Sequence, residues 1–174
     1  IFKQLNNTKI TEDQLEELLT YITFVKNKML PQAEWAIAEV KVPKKVEILQ
    51  RYEEFKQTGT EQLLIDFDDM LLMSYEIFAK NPDVLAGFQR RYDFYLTDES
   101  QDTSPVQHAI IGQLVEPHQN LCVVADEDQA IYSWRGAEPE YLLQFKTVYP
   151  AAEILLMTQN YRSTKAVVVP ANQF

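Results

Sequence analysis

The sequence predicts an α/β domain, a parallel sheet with crossover helices, preceded by a helical segment. Residues 1–57 carry apolar side chains at helical period. From residue 94 onward, short apolar runs alternate with helical patterns. Carboxylates, amides, aromatics and arginines gather directly after those runs.

The N-terminal half is read as helices. In "ITEDQLEELLTYITFVKNKML", Thr11 and Gln14 have the spacing of a capping box, and Ile10 and Leu15 that of a hydrophobic staple. Leu15, Leu18, Leu19, Ile22, Val25 and Met29 follow the helical period until Pro31. A second helix is predicted through "KKVEILQRYEEFK", with Val46, Leu49, Tyr52 and Phe55 on one side. "QTGT" at 57–60 is the best internal boundary. "LLIDFDDMLLMSYEIFAK" is predicted as a helix, and Pro82 opens another.

The second half alternates. "FYLTD" (94–98), "NLCVVAD" (120–126) and "EILLM" (153–157) are predicted strands. "SPVQHAIIGQLV" (104–115), with Ser104 as N-cap, and "PEYLLQFKTVY" (139–149) are predicted helices, and "STKAVVV" begins another.

Composition narrows the function. The chain has 174 residues, 46% of them hydrophobic, enough for one domain with a real core. No apolar run approaches the roughly 20 residues of a membrane span. Neither end reads as a natural terminus, so the chain is expected to be a piece of a longer protein. The single cysteine, Cys122, suits a small buried hydrophobe and a cytoplasmic setting. His108 and His118 have no Cys partners, which discounts zinc. A net charge of −10 speaks against a conventional basic nucleic-acid surface.

Ligands of open parallel sheets bind beyond the carboxyl ends of the strands. After the first predicted strand stand Asp98, Glu99, Gln101 and Asp102. After the second stand Asp126, Asp128, Gln129, Tyr132, Trp134 and Arg135; after the third, Gln159, Asn160, Tyr161 and Arg162. Turn formation and N-capping account for Asp126, Ser104 or Asn160 singly. They do not account for Trp134–Arg135 or Tyr161–Arg162. Adjacent carboxylates at a strand tip repel one another, and a hard cation removes that cost. Mg²⁺ takes one or two carboxylates plus water and substrate phosphates. Asp98 is assigned to the metal and Glu99 to a base that activates water for attack on phosphorus.

With these residues in view, the chain resembles the UvrD/Rep/PcrA group of superfamily 1 DNA helicases. "TDESQDTSPVQ" resembles their motif II, "VVADEDQAIYSWRGA" their motif III and "LLMTQNYRST" their motif IV. "DFDDML" (66–71) is similar to a segment that precedes motif II. The likeness runs from about residue 62 to 174. It implies a partial RecA-like P-loop NTPase domain acting with ATP, Mg²⁺ and single-stranded or duplex-junction DNA. It implies that Asp98 holds Mg²⁺ and that Glu99 activates water. Gln129 would sense the γ-phosphate, Arg162 contact it and Tyr161 stack on adenine. Trp134, Tyr132 and Arg135 would lie on the single-strand path, where stacking grips bases without reading them. Gln101 and Asp102 would link the ATP site to its neighbours. "DFDDML" is given no direct chemistry; a capped core helix accounts for it equally well.

Ala125 and Ala130 depart from the family's usual Gly and Ser, and neither change removes a catalytic group. The larger departure is a missing phosphate-cradling loop: the glycines are Gly59, Gly87, Gly112 and Gly136. The resemblance therefore implies a middle slice. Residues 1–60 would belong to a helical insertion, 61–158 to the second half of the first motor domain, and 159–174 to the start of the second. Such a slice is expected to be inactive alone. Two alternatives stand beside this reading: a helicase–nuclease subunit of AddA/RecB type, and a non-catalytic acidic interaction module.

Overall fold

A computed structural model describes residues 1–171 and 173. The chain divides into two compact units, Ile1–Leu142 and Leu143–Phe174.

The first unit opens with α1 (Phe2–Asn6), α2 (Glu12–Asn27) and α3 (Lys45–Thr58). The capping box of α2 forms as the sequence predicts. Thr11 Oγ1 accepts from the Gln14 amide and Gln14 Oε1 from the Thr11 amide, each at 3.2 Å. One face of these helices builds the main core, in which Leu18, Tyr21, Ile22 and Val25 of α2 meet Phe2, Leu5, Val42, Ile48 and Leu49. Each large aliphatic side chain buried there contributes roughly 1.5–3 kcal/mol. The Tyr21 hydroxyl donates to the Trp35 carbonyl at 3.0 Å, and burial pushes its pKa up to about 12.

The expected apolar side of α3 needs correcting. Phe55 is 48% exposed, whereas the buried residue in that turn is Lys56. An ammonium goes inside because three carboxylates receive it, as described below.

Next come α4 (Phe67–Lys80) and α5 (Pro82–Gln89). Pro82 starts α5, where its missing N–H costs nothing. Helix α4 packs on α2, on α5 and on α6 (Pro105–Val115). Phe78 and Phe88 meet with ring centroids 5.2 Å apart. The Gln89 side-chain amide donates to the Gln113 carbonyl at 2.8 Å, tying α5 to α6.

The sheet is β1 (Tyr95–Thr97) and β2 (Leu121–Val123), parallel, with α6 as the crossover. Its register pairs Tyr95 with Leu121, Leu96 with Cys122 and Thr97 with Val123. Cys122 is exposed, not buried as its apolar neighbours suggest. Strand residues alternate between faces, and position 122 falls on the open one.

The stretch from residue 139 onward departs most from expectation. The helix predicted over 139–149 is two short helices, α7 (Glu140–Leu143) and α8 (Phe145–Val148), interrupted at Gln144. Residues 153–157 form no strand. A strand exists through its ladder partners, and none pairs with this segment among the described residues. Leu155, Leu156 and Met157 are at least 82% exposed. Helix α9 (Lys165–Ala171) follows a turn in which Asn160 Oδ1 accepts from the amides of Arg162 and Ser163.

Candidate functional site

The carboxylates after β1 sit on a turn fixed from several sides. Glu99 has φ 51°, in the left-handed region that few non-glycine residues occupy. Its amide donates to Asp98 Oδ1 at 2.9 Å. The Ser100 amide donates to the Val124 carbonyl at 3.1 Å, and the Val124 amide to the Thr97 carbonyl at 2.8 Å. Ser100 Oγ reaches Thr97 Oγ1 at 2.8 Å. These bonds carry the pairing of the two strands past their ends and hold the strained residue in place.

Gln101 is the hub of the turn, with only 1% of its surface exposed. Its Nε2 donates to Glu99 Oε2 at 2.7 Å, and its Oε1 accepts from the Asp126 amide at 3.0 Å. Asp126 Oδ2 in turn accepts from Gln129 Nε2 at 2.6 Å. One amide side chain thus joins the carboxylate after β1 to the loop after β2. Asp98 and Glu99 remain exposed. Asp102 carries a buried Oδ1 with no hydrogen-bond partner among the described residues.

The aromatic segment lies further along the same loop. The rings of Tyr132 and Trp134 are 6.4 Å apart, and the Arg135 guanidinium lies 4.6 Å from the Trp134 ring and 5.4 Å from that of Tyr132. Cation–π attraction at these distances favours one mutual arrangement of the three side chains. Tyr132 is 36% and Trp134 49% exposed, leaving π-surface open to solvent.

Tyr161 and Arg162 belong to the second unit and are exposed. Asp98, Glu99 and Gln129 therefore share one hydrogen-bonded neighbourhood, while Tyr132, Trp134 and Arg135 form a second group on the connected loop.

A cluster with no counterpart in the sequence reading joins α2, α3 and α4. Lys26 Nζ lies 2.6 Å from Asp69, 2.7 Å from Asp66 and 3.2 Å from Glu53. Lys56 Nζ lies 2.6 Å from Asp69, 2.8 Å from Glu53 and 3.2 Å from Asp66. Both lysines are 6% exposed. Burial alone would raise the pKa of Asp66 and of Asp69; hydrogen bonds from Lys26 and Lys56 instead hold both below the ordinary carboxylate range. Burial opposes charge on Lys56 too, yet hydrogen bonds to Asp69 and Glu53 raise its pKa. Glu53, Asp66 and Asp69 are close enough to ligate a cation. Two ammonium groups already occupy that role. Asp68 extends the contact, accepting from Thr23 Oγ1 at 2.9 Å and Asn27 Nδ2 at 2.7 Å. The available signal was a lysine on the inward stripe of each of two helices.

His108 is a second residue without a sequence-based role. It is 8% exposed and stacks on Tyr141 with centroids 3.8 Å apart. Burial pushes its pKa down to about 4 against the opposing pull of Glu138.

Residues 1–150 match the sequence profile of the UvrD/REP helicase N-terminal domain. The chain belongs to that family. This UvrD/REP segment is 41% identical to the ATP-dependent DNA helicase PcrA of Bacillus subtilis over 122 residues, covering 70% of this chain and 16% of that protein. It is 33% identical to PcrA of Leuconostoc citreum over 170 residues, 97% of this chain and 23% of the relative. YjcD of Bacillus subtilis is 38% identical over 165 residues, 92% of this chain and 21% of that protein. The UvrD/REP segment thus spans about a fifth of the length of the relatives it matches. Among the described residues no helix is long and apolar enough to cross a membrane.

Proposed function

We propose that the chain is part of an ATP-dependent DNA helicase that translocates on single strands in DNA repair or replication. Residues 1–60 are then part of a helical insertion, 61–158 the second half of a RecA-like motor domain and 159–174 the start of its partner domain. The observation that carries the reading is the Glu99–Gln101–Asp126–Gln129 connection, in which one buried amide spans the two strand ends. It fits a motor in which the hydrolytic base and a phosphate-sensing loop move together.

In this reading Glu99 takes the proton of the water that attacks the γ-phosphorus of ATP, and Gln101 fixes the carboxylate while it does so. Asp98 fits a Mg²⁺ ligand acting through water: it is exposed, and its Oδ2 is not engaged by the turn that holds Oδ1. Bound there, the ion would neutralise phosphate charge. Arg162 and Tyr161 supply a guanidinium for phosphate and a ring for adenine. Tyr132, Trp134 and Arg135 form the platform on which bases stack. The acidic charge of the segment makes stacking, rather than Coulomb attraction, its main grip on DNA.

The test is ATP turnover by the full-length parent with and without single-stranded DNA. Glu99→Gln is expected to lower turnover at least about a hundredfold while ATP still binds. The isolated chain is expected to show no turnover. Steady hydrolysis by the isolated chain that Glu99→Gln abolishes would refute the division of labour proposed here.

A further inference from the structure

We propose that the C-terminal end of α2 is the seat of the Tyr132–Trp134–Arg135 platform, and that Lys28 is a positioning residue for single-strand binding. The inference rests on the functional reading above. The platform's side chains face solvent, but the backbone just after them does not. Gly136 and Ala137 are buried. Gly136 has φ 95°, and a Cβ placed on it would lie 3.1 Å from Asn27 Cβ and 3.7 Å from Lys28 Cγ. Both the left-handed backbone and the close approach call for glycine.

The next residue but one is clamped by charge. Lys28 Nζ lies 2.8 Å from Glu138 Oε2, across 110 residues of sequence. The Glu138 amide donates to the Thr103 carbonyl at 3.2 Å, and the Ala137 amide closes the turn onto the Tyr132 carbonyl at 3.3 Å. The platform is therefore fastened on one side to α2 and on the other to the segment that follows Glu99. The floor beneath it is itself fixed. Asn27 is 7% exposed, and its Nδ2 donates to the Thr23 carbonyl at 3.0 Å and to Asp68 Oδ1 at 2.7 Å. "DFDDML", which had no role from sequence, thereby supports the platform through Asn27. Stacking on a base depends on ring orientation, so a platform released from its seat binds DNA less well even with every aromatic present.

The experiment measures binding of a fluorescent oligo-dT strand to the full-length parent over a range of salt concentrations, with melting temperature followed in parallel. Lys28→Glu is expected to weaken binding about threefold to fivefold, as loss of a partly exposed ion pair allows. The charge-swapped pair, Lys28→Glu with Glu138→Lys, is expected to restore it. Gly136→Ala changes no charge and is expected to weaken binding by a similar factor at every salt concentration. Unchanged affinity in Lys28→Glu, or failure of the swapped pair to restore it, would overturn the inference. So would a drop of about one in the salt slope for Lys28→Glu, which marks a direct phosphate contact. A parent that binds no single strand overturns the functional reading and this inference together; a parent that binds, with all variants equal to it, overturns this inference alone.

Discussion

Replacing Lys56 with Met tests how the helical segment is joined to the rest of the first unit. The side chain keeps its length, so its packing survives while its charge does not. Lys56 is 6% exposed and meets Asp69 at 2.6 Å, Glu53 at 2.8 Å and Asp66 at 3.2 Å. Without it, three carboxylates face the single ammonium of Lys26. Breaking a buried ion cluster by removing one partner costs about 3–5 kcal/mol, because the remaining charges stay buried. For a chain of this size that corresponds to a fall in melting temperature of roughly 10 °C. The assay is thermal unfolding followed by helical circular dichroism at neutral pH. Raising the pH provides a second reading of the same cluster. The Lys56 pKa is raised by folding, so its contribution is complete below the unfolded value and fades as pH climbs past it toward the folded one. The Met variant lacks that alkaline loss. A melting temperature within about 2 °C of the parent's, less than 1 kcal/mol, would show that the cluster is solvated in practice and refute the reasoning.

His108 gives an acid-side prediction. Its folded pKa of about 4 lies below the unfolded value near 6.5, so its contribution is complete above that value and is lost as pH falls toward 4. The loss amounts to about 3 kcal/mol, and His108→Phe, which keeps a ring against Tyr141, should flatten the stability profile over that window. Asp66 and Asp69, held low by the lysines, add their own loss only below about pH 4. In the full-length parent, Gln101→Ala should lower kcat for ATP about tenfold or more with little change in KM, measured by steady-state hydrolysis; an unchanged kcat would remove Gln101 from the positioning of Glu99. Trp134→Ala should weaken single-strand binding about tenfold by loss of one stacking surface, read by fluorescence anisotropy, and leave binding of ATP alone intact.

What the sequence could disclose depended on how local each feature is. The α2 capping box needs only Thr11 and Gln14, and it forms as written. The strands at 95–97 and 121–123 and the helix between them are short-range patterns with clear punctuation. The segment 153–157 has an equally good apolar run but no ladder partner among the described residues, and pattern cannot supply a partner. Lys26 and Lys56 were hidden because a lysine on an inward stripe is ordinarily read as a flaw in the stripe. Two of the carboxylate partners, Asp66 and Asp69, lie 40 and 43 residues from Lys26. Gln101 could be named from sequence as a link, but its two partners, Glu99 and the Asp126 amide, are visible only once the strands pair.

Asp66 and Asp69 do two jobs with the same atoms. They form the reciprocal cap of α4, with the Asp69 amide on Asp66 Oδ1 at 2.8 Å and the Asp66 amide on Asp69 Oδ2 at 2.9 Å. The same oxygens hold Lys26 and Lys56. Helix initiation and helix docking therefore draw on a shared set of lone pairs. Undocking α3 takes Lys56 away and leaves the two carboxylates at the start of α4 to share the single ammonium of Lys26 on α2. That turn should then fray as part of the larger opening, so amide exchange at 66 and 69 would follow the detachment of a helix that contributes no backbone hydrogen bond to either position.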